Sequence, residues 1–221
     1  MEKLRVIVTG ATGMVGEGVL HECALHPDVE EILVLTRKAS GYIHPKVKEL
    51  IHTDFFDLSP IKEQLKNYKA CFFCLGVSSI GMNEKEYTRM TYTLTLHVAS
   101  VVSEQNPGMT FCYVSGASTD STEKGKSMWA RVKGKTENDL LKLPFKQVYL
   151  FRPGYMHPTK GLKNTLKSYK YFSWMYPFLR LVFSSGVSTL KELGQAMINS
   201  ALKGYEKPVL EVKDIVKLAK S

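Results

Sequence analysis

Absences narrow the field before any motif is read. No stretch of the 221-residue chain approaches the ~18 uncharged apolar residues that a membrane span requires. Cysteine is scarce: Cys23, Cys71, Cys74 and Cys112 do not make a disulfide framework in a chain of this length. Cys71 and Cys74 read as CxxC, but they lie inside the apolar run Ala70-Cys71-Phe72-Phe73-Cys74-Leu75. Positions three apart on a strand point to opposite faces, which argues against a shared metal or an easy disulfide. His21, His26, His44, His52, His97 and His157 fit no metal-binding spacing, so no metal is expected. No zinc-finger, RNP or helix-turn-helix pattern is present, and no nucleic-acid partner is expected. There is no internal repeat and no low-complexity linker. Met1-Glu2-Lys3-Leu4-Arg5-Val6-Ile7-Val8 runs almost at once into strand-like sequence without a signal peptide. Together these features give the expectation of a reduced, cytoplasmic protein.

What is present is ordinary for a folded domain: 44% hydrophobic and 23% charged residues, too apolar for intrinsic disorder. The length suits one large domain, residues 1–221, with residues 155–221 contributing a small substrate or cap region. The net charge is +9, and residues 160–221 hold 11 Lys/Arg against 4 Asp/Glu. A basic excess favours anionic partners such as a phosphorylated cofactor, an acidic substrate or a membrane surface; much of it also reads as a solvated lysine face.

Short β-branched and aromatic runs alternate with helical patterns. Strands are expected at Leu4–Thr9, Ile32–Thr36, Glu49–Thr53, Ala70–Leu75, Thr110–Ser115 and Gln147–Arg152. Several are apolar throughout, as strands covered on both faces should be. Helices are expected from Gly13 to about His26, Pro60 to Tyr68, Glu84 to Gln105, Lys126 to Leu143 and Leu190 to Lys203. That alternation implies an α/β fold, a doubly wound parallel sheet of the Rossmann type, with a small C-terminal helical cap.

The most informative segment is Val6-Ile7-Val8-Thr9-Gly10-Ala11-Thr12-Gly13-Met14-Val15-Gly16. A buried strand runs into three glycines and then a helix. Gly10 permits a tight turn, Gly13 lets backbone approach a pyrophosphate, and Gly16 lets helix and strand pack closely. The N–H groups opening the helix face the phosphates. The spacing is GxxGxxG, one residue wider than the common dinucleotide fingerprint. The next strand ends Leu35-Thr36-Arg37-Lys38 with no acid nearby. A guanidinium suits a 2′-phosphate and a carboxylate repels it, so Arg37, helped by Lys38, points to NADPH in preference to NADH.

With these residues in hand the chain resembles the extended and atypical short-chain dehydrogenase/reductases. Within them it is similar to the Tat-interacting oxidoreductase-like and nucleoside-diphosphate-sugar epimerase-like group, over essentially its whole length. Asp54-Phe55 stands where the family has an acid contacting adenine, and Leu75-Gly76-Val77 matches the turn lying over the cofactor. Val114-Ser115-Gly116-Ala117-Ser118 matches the strand carrying the active-site Ser/Thr. Arg131-Val132-Lys133-Gly134-Lys135-Thr136-Glu137 matches the catalytic helix, and Phe151-Arg152-Pro153-Gly154 the loop beside the nicotinamide. The resemblance implies a cofactor set of Gly10, Thr12, Gly13, Met14, Val15, Gly16, Arg37, Lys38, Asp54, Phe55, Leu75, Gly76, Val77, Lys133, Pro153, Tyr155 and Met156. It implies Lys133, Ser115, Ser118 and Trp129 as the catalytic positions. Plainer roles stand beside these: Asp54 as a turn cap, Ser115 and Ser118 as local caps, and Arg152 as a tie for its loop.

The family's chemistry rests on YxxxK, a Tyr and a Lys on one helix face. The lysine lowers the phenol's pKa and holds the nicotinamide ribose, while the phenol exchanges a proton with the substrate oxygen. This chain has Trp129-Ala130-Arg131-Val132-Lys133. An indole donates a hydrogen bond but serves as neither acid nor base. Three readings follow: an oxidoreductase on a small carbonyl substrate whose proton comes from Ser118, Tyr155, Tyr87 or water; a non-catalytic NADP(H)-binding redox sensor or regulatory partner; and, weakest, a nucleotide-sugar epimerase.

Residues 160–183 are basic and aromatic. Lys163, Lys167 and Lys170 would share one side of a helix, and Tyr171, Trp174, Met175 and Phe178 another. This segment reads as packing of a cap, as a lid over an apolar substrate, as a dimer face or as a membrane-surface contact. A contact from Lys160 or Lys163 to the cofactor phosphates is a further option that the sequence itself does not show. A monomer or homodimer acting on a small-molecule substrate is expected.

Overall fold

The six expected runs and one further short segment form the seven parallel strands of one sheet. The computed structural model describes residues 3–165, Tyr176, Arg180, Phe183 and 186–221. Its strands are β1 (Leu4–Thr9), β2 (Val29–Thr36), β3 (Val47–Ile51), β4 (Ala70–Phe73), β5 (Thr110–Val114), β6 (Gln147–Arg152), β7 (Tyr155–His157), β8 (Val187–Thr189) and β9 (Val209–Glu211). Seven form a sheet in the order β3-β2-β1-β4-β5-β6-β9, and β7 pairs with β8 separately. The helices are α1 (Met14–Leu25), α2 (Glu84–Thr88), α3 (Leu94–Gln105), α4 (Met128–Leu140), α5 (Leu190–Lys203) and α6 (Val212–Leu218).

Alternation along each strand explains why these runs are apolar throughout. Val6, Val8, Ile32, Val34, Phe72 and Cys112 join the layer holding α1 and α5, whereas Ile7, Leu33, Leu35, Cys71, Phe73 and Phe111 join the layer with α3. Each fully buried aliphatic side chain contributes about 1.5–3 kcal/mol, so a strand between two helical layers has apolar residues at consecutive positions. Cys71 and Cys74 accordingly face opposite layers, and all four cysteines are free thiols.

Several expected boundaries shift. β3 occupies Val47–Ile51 instead of Glu49–Thr53 because it is a largely exposed edge strand, and its register pairs Ile32 with Val47. Pro60 to Tyr68 forms only a 3₁₀ turn, Ser59–Leu65. The buried amide of Asn106 accepts from Tyr68 N–H (2.8 Å) and donates to the Leu65 carbonyl (2.8 Å), satisfying groups that a longer helix would use. Glu84 to Gln105 is helical but not uniform: a π turn at Arg89–Thr93 separates α2 from α3.

The described C-terminal elements pack against the sheet. β9 pairs with β6, and Leu193, Met197, Leu210 and Ile215 join Val6 and Val8 in one apolar layer. Residues 190–218 are therefore built into the Rossmann layers. Small residues let α5 close on α1: a Cβ on Gly18 would lie 3.0 Å from Leu190, and one on Gly194 2.7 Å from Glu22. The helical pairing of Lys167, Lys170, Tyr171, Trp174, Met175 and Phe178 falls outside the described residues. No helix among the described residues is long and apolar enough to cross a membrane.

Candidate functional site

The sheet order reverses between β1 and β4, and such a switch point opens a crevice at the carboxyl ends of the strands. The glycine turn lies there. Gly10 adopts φ +72°, and a Cβ on it would lie 2.6 Å from the Cys74 carbonyl oxygen. Gly13 N–H donates to the Gly10 carbonyl (2.9 Å), and Gly16 is packed directly against that carbonyl. The Thr9 hydroxyl accepts from Leu75 N–H (3.3 Å), tying the β4 turn to β1. Gly13 is the N-cap of α1 and has no capping side chain. The first-turn N–H groups of Met14, Val15 and Gly16 thus have no intrahelical partner, at a helix start that directly follows the glycine turn.

Two adjoining spaces lead away from this turn. One, of about 390 Å³, is lined by Gly10, Thr12, Thr36, Arg37, Lys38, Thr53, Phe55 and Leu75. No carboxylate among the described residues lines it. The Thr36 hydroxyl donates to the Lys38 carbonyl (2.7 Å), which fixes the backbone carrying both cations at the mouth. The second, a narrow slot of about 70 Å³, lies between Asp54, Phe55, Phe56, Leu75, Gly76, Val77, Met90 and Leu94, with Arg37 at its lip. Its flat apolar walls suit a planar base. The Asp54 carboxylate accepts from Phe56 N–H (2.9 Å), so its turn-capping role is present at the slot. A cradle of closely packed backbone, an uncapped helix start, a cation-lined cleft and a flat slot fit a dinucleotide.

Sequence reading did not single out Thr9, Thr53, Phe56, Met90 or Leu94. Phe56 adjoins the quoted Asp54-Phe55 and carries the Arg89 guanidinium over its ring at 4.9 Å. Met90, in the π turn, and Leu94, which opens α3, both line the slot.

The positions expected to be catalytic lie on α4 and in the turn after β5. Trp129 and Lys133 are one turn apart on α4. The Lys133 ammonium donates to the Ser115 carbonyl. Burial pulls its pKa down to about 8, with neighbouring Glu137 opposing the fall. Ser115 is buried, and its hydroxyl donates to Glu137 Oε1 (2.5 Å), with the Phe151 carbonyl 3.2 Å away. Ser118 is exposed and adopts φ +68°, a conformation rare for a residue with a side chain. Ala117 N–H donates to the Pro153 carbonyl (2.9 Å), joining this turn to the next loop. Arg152 bonds Glu137, Ser121 and Glu211, in keeping with a structural tie.

Tyr155 N–H donates to the Gly186 carbonyl (3.0 Å), while the Met156 side chain is buried in the core. Tyr87 is also buried, which pushes its phenol pKa up. Both placements turn side chains inward, so Met156 and Tyr87 offer little to a ligand in the crevice. Lys163 and Asn164 N–H groups donate to the Glu17 carboxylate at 2.9 and 2.7 Å, which holds that loop at the first turn of α1.

This fold and crevice define a Rossmann nucleotide-binding protein of the short-chain dehydrogenase/reductase type. Residues 6–131 match the profile of the NAD dependent epimerase/dehydratase family, and the chain belongs to that family. "Protein FMP52, mitochondrial" of Candida albicans is 25% identical over 231 residues, covering 99% of each chain. Among solved structures, the Helicobacter pylori ADP-L-glycero-D-manno-heptose-6-epimerase superposes with a TM-score of 0.63 at 16% identity, over 99% of this chain and 82% of that one. Bordetella bronchiseptica WbmF in complex with NAD+ superposes with a TM-score of 0.62 at 16% identity, over 99% and 77% of the two chains. The curated relatives are named mitochondrial, which overturns the expectation of a cytoplasmic protein. An N-terminus that reads straight into a strand carried too little information for that assignment.

Proposed function

We propose that the chain binds NADP(H) and acts as an oxidoreductase on a small carbonyl substrate through an altered proton-transfer site. The observation that carries the coenzyme choice is the pair Arg37 and Lys38 at a cleft without a carboxylate among the described residues. In this reading the Met14–Gly16 amides hold the pyrophosphate, and Arg37 and Lys38 hold the 2′-phosphate. Asp54, Phe55, Leu75, Gly76 and Val77 enclose the adenine. Lys133 faces the nicotinamide ribose, with Pro153 and Tyr155 beside the ring. The coenzyme, when bound, supplies or accepts the hydride.

The protein's own task is then to place a carbonyl and move one proton. Trp129 donates a hydrogen bond through its indole N–H and transfers no proton at neutral pH. Ser118, exposed on its strained turn, is the hydroxyl free to meet a substrate oxygen, because the Ser115 hydroxyl already serves Glu137. The proton itself comes from Tyr155 or water. Absence of a strong acid slows such a step by about 10²- to 10⁴-fold. The same Trp129 supports a second reading, a coenzyme-dependent sensor without turnover. Kinship with relatives named mitochondrial supports a mitochondrial setting for either role.

Calorimetric titration with NADPH and NADH tests the binding, and NADPH consumption with aldehydes, ketones and quinones separates the two roles. Tight binding with steady consumption supports the reductase; binding without consumption supports the sensor. No heat with either coenzyme on folded protein overturns both.

A further inference from the structure

A buried carboxylate that the family reading leaves without a task lies beneath the catalytic helix. Glu137 is 1% exposed and follows Lys133 by one helical turn. Both side chains end on Ser115: Lys133 on its carbonyl, Glu137 on its hydroxyl at 2.5 Å. Arg152 closes the other side. Its Nε donates to both Glu137 oxygens at 3.1 and 3.2 Å, and one terminal nitrogen donates to Glu137 Oε2 and to Ser121 Oγ (2.5 Å). Arg152 directly precedes the Pro153-Gly154 loop. A single carboxylate therefore joins the end of β5, the face of α4 and the loop after β6.

We propose that Glu137 is a positioning residue: it fixes Ser115 and Arg152 and keeps a negative charge beside the Lys133 ammonium, so that Lys133 is held charged and aimed at the coenzyme ribose. This inference rests on the coenzyme reading above for the ribose; the link between Glu137 and Lys133 is a property of the protein alone. Placing an unpaired carboxylate in the interior is costly, and Arg152 removes that cost, while Lys133 sits one helical turn away on the same helix. The Ser115 hydroxyl has one proton, which goes to the carboxylate, so it has none for a substrate oxygen.

The titratable groups near Lys133 and Glu137, among the described residues, lie on α4, on β5, β6 and β9 and on α2, whose buried Tyr87 stays neutral beside Tyr113. Glu137 faces it from α4, with Arg152 on β6 behind Glu137 and Glu211 on β9 beyond Arg152 at 3.3 Å. Tyr113 on β5 lies beside Glu137, and burial pushes its phenol well above the ordinary range, so it stays neutral. Among the described residues Glu137 is thus the anion that acts on Lys133, against the larger effect of burial. Burial and this anion act in opposite directions and leave the Lys133 pKa at about 8.

The test is competitive labelling with acetic anhydride across pH, on the full chain without coenzyme. Mass spectrometry reads the peptide carrying Lys133, with exposed Lys126 as reference. In the wild type the labelling midpoint of Lys133 is expected near pH 8. Glu137→Gln keeps the shape and removes the charge, and the midpoint falls by about one pH unit or more. Arg152→Gln and Ser115→Ala leave the carboxylate less neutralised, and both raise the midpoint. Ser115→Ala removes a single oxygen and keeps the test open should the other variants fail to fold. Unchanged midpoints in folded variants overturn the proposal. A separate NADPH titration of the wild type distinguishes the two failures: labelling shifts without NADPH binding sink the coenzyme reading and leave Glu137's role standing.

Discussion

Gly16 is packed against Gly10 so closely that a Cβ on it would sit 2.2 Å from the Gly10 carbonyl oxygen. The partner is backbone at the heart of the turn and cannot give way without opening it. Gly16→Ala is expected to destabilise the protein by about 3 kcal/mol, read as a lower urea midpoint. Gly13→Ala is the contrast, because its Cβ would meet the same oxygen at an ordinary 3.4 Å. That variant should fold with a change under about 1 kcal/mol while binding coenzyme more weakly. Equal stability for the two variants would contradict this division of labour.

Arg37 stands at the mouth of both spaces beside the glycine turn. A charge-assisted contact to a 2′-phosphate contributes about 1.5–3 kcal/mol, so Arg37→Ala should weaken NADPH binding by roughly 10- to 100-fold. NADH lacks that phosphate, and its affinity should change little. Fluorescence titration with both coenzymes measures the difference; matched losses would remove the case for NADPH.

Trp129 occupies the position one turn before Lys133. Trp129→Tyr places a phenol beside that ammonium, where it becomes a stronger acid. Reductase activity should appear or rise by about 10²-fold, measured as NADPH oxidation with a panel of aldehydes. Unaltered activity, at unaltered coenzyme affinity, would show that residue 129 does not stand where the proton is needed.

Acid should loosen the far end of the sheet. Glu31 accepts from Arg5 (2.7 Å), Lys48 (2.6 Å) and Tyr68 (2.9 Å). Burial alone would raise its pKa, but these donors outweigh it and hold the carboxyl at about 2, below its usual 4.5. A depressed carboxylate stabilises the fold above pH 4.5, and that contribution is lost as pH falls towards 2. Melting temperatures of Glu31→Gln should therefore fall less steeply than those of the wild type over this interval. Parallel slopes would count against the assignment.

The strands and the glycine turn were legible because their causes are local. β1 and β6 keep the expected bounds, since an apolar run between turn residues has one favourable fate. β3 was misplaced by two residues because an exposed edge strand carries little hydrophobic pattern. β9 escaped notice for a related reason: three residues are too short to announce a strand, and only pairing with β6 makes one. The long-range contacts were hidden as well. Ser115 reads from sequence as a catalytic hydroxyl, yet its partner is 22 positions away on α4. The π turn at Arg89–Thr93 breaks no residue preference, so the walls it gives the slot could not be seen in the letters.

The contact of Gly18 with Leu190 and of Gly194 with Glu22 joins helices from opposite ends of the chain. The helix that opens the crevice thus lacks its outer support until α5 has been synthesised. A ribosome-bound chain halted before α5 should leave that helix loosely seated and nucleotide capture poor. In the coenzyme reading proposed above, capture then waits until α5 has docked against α1.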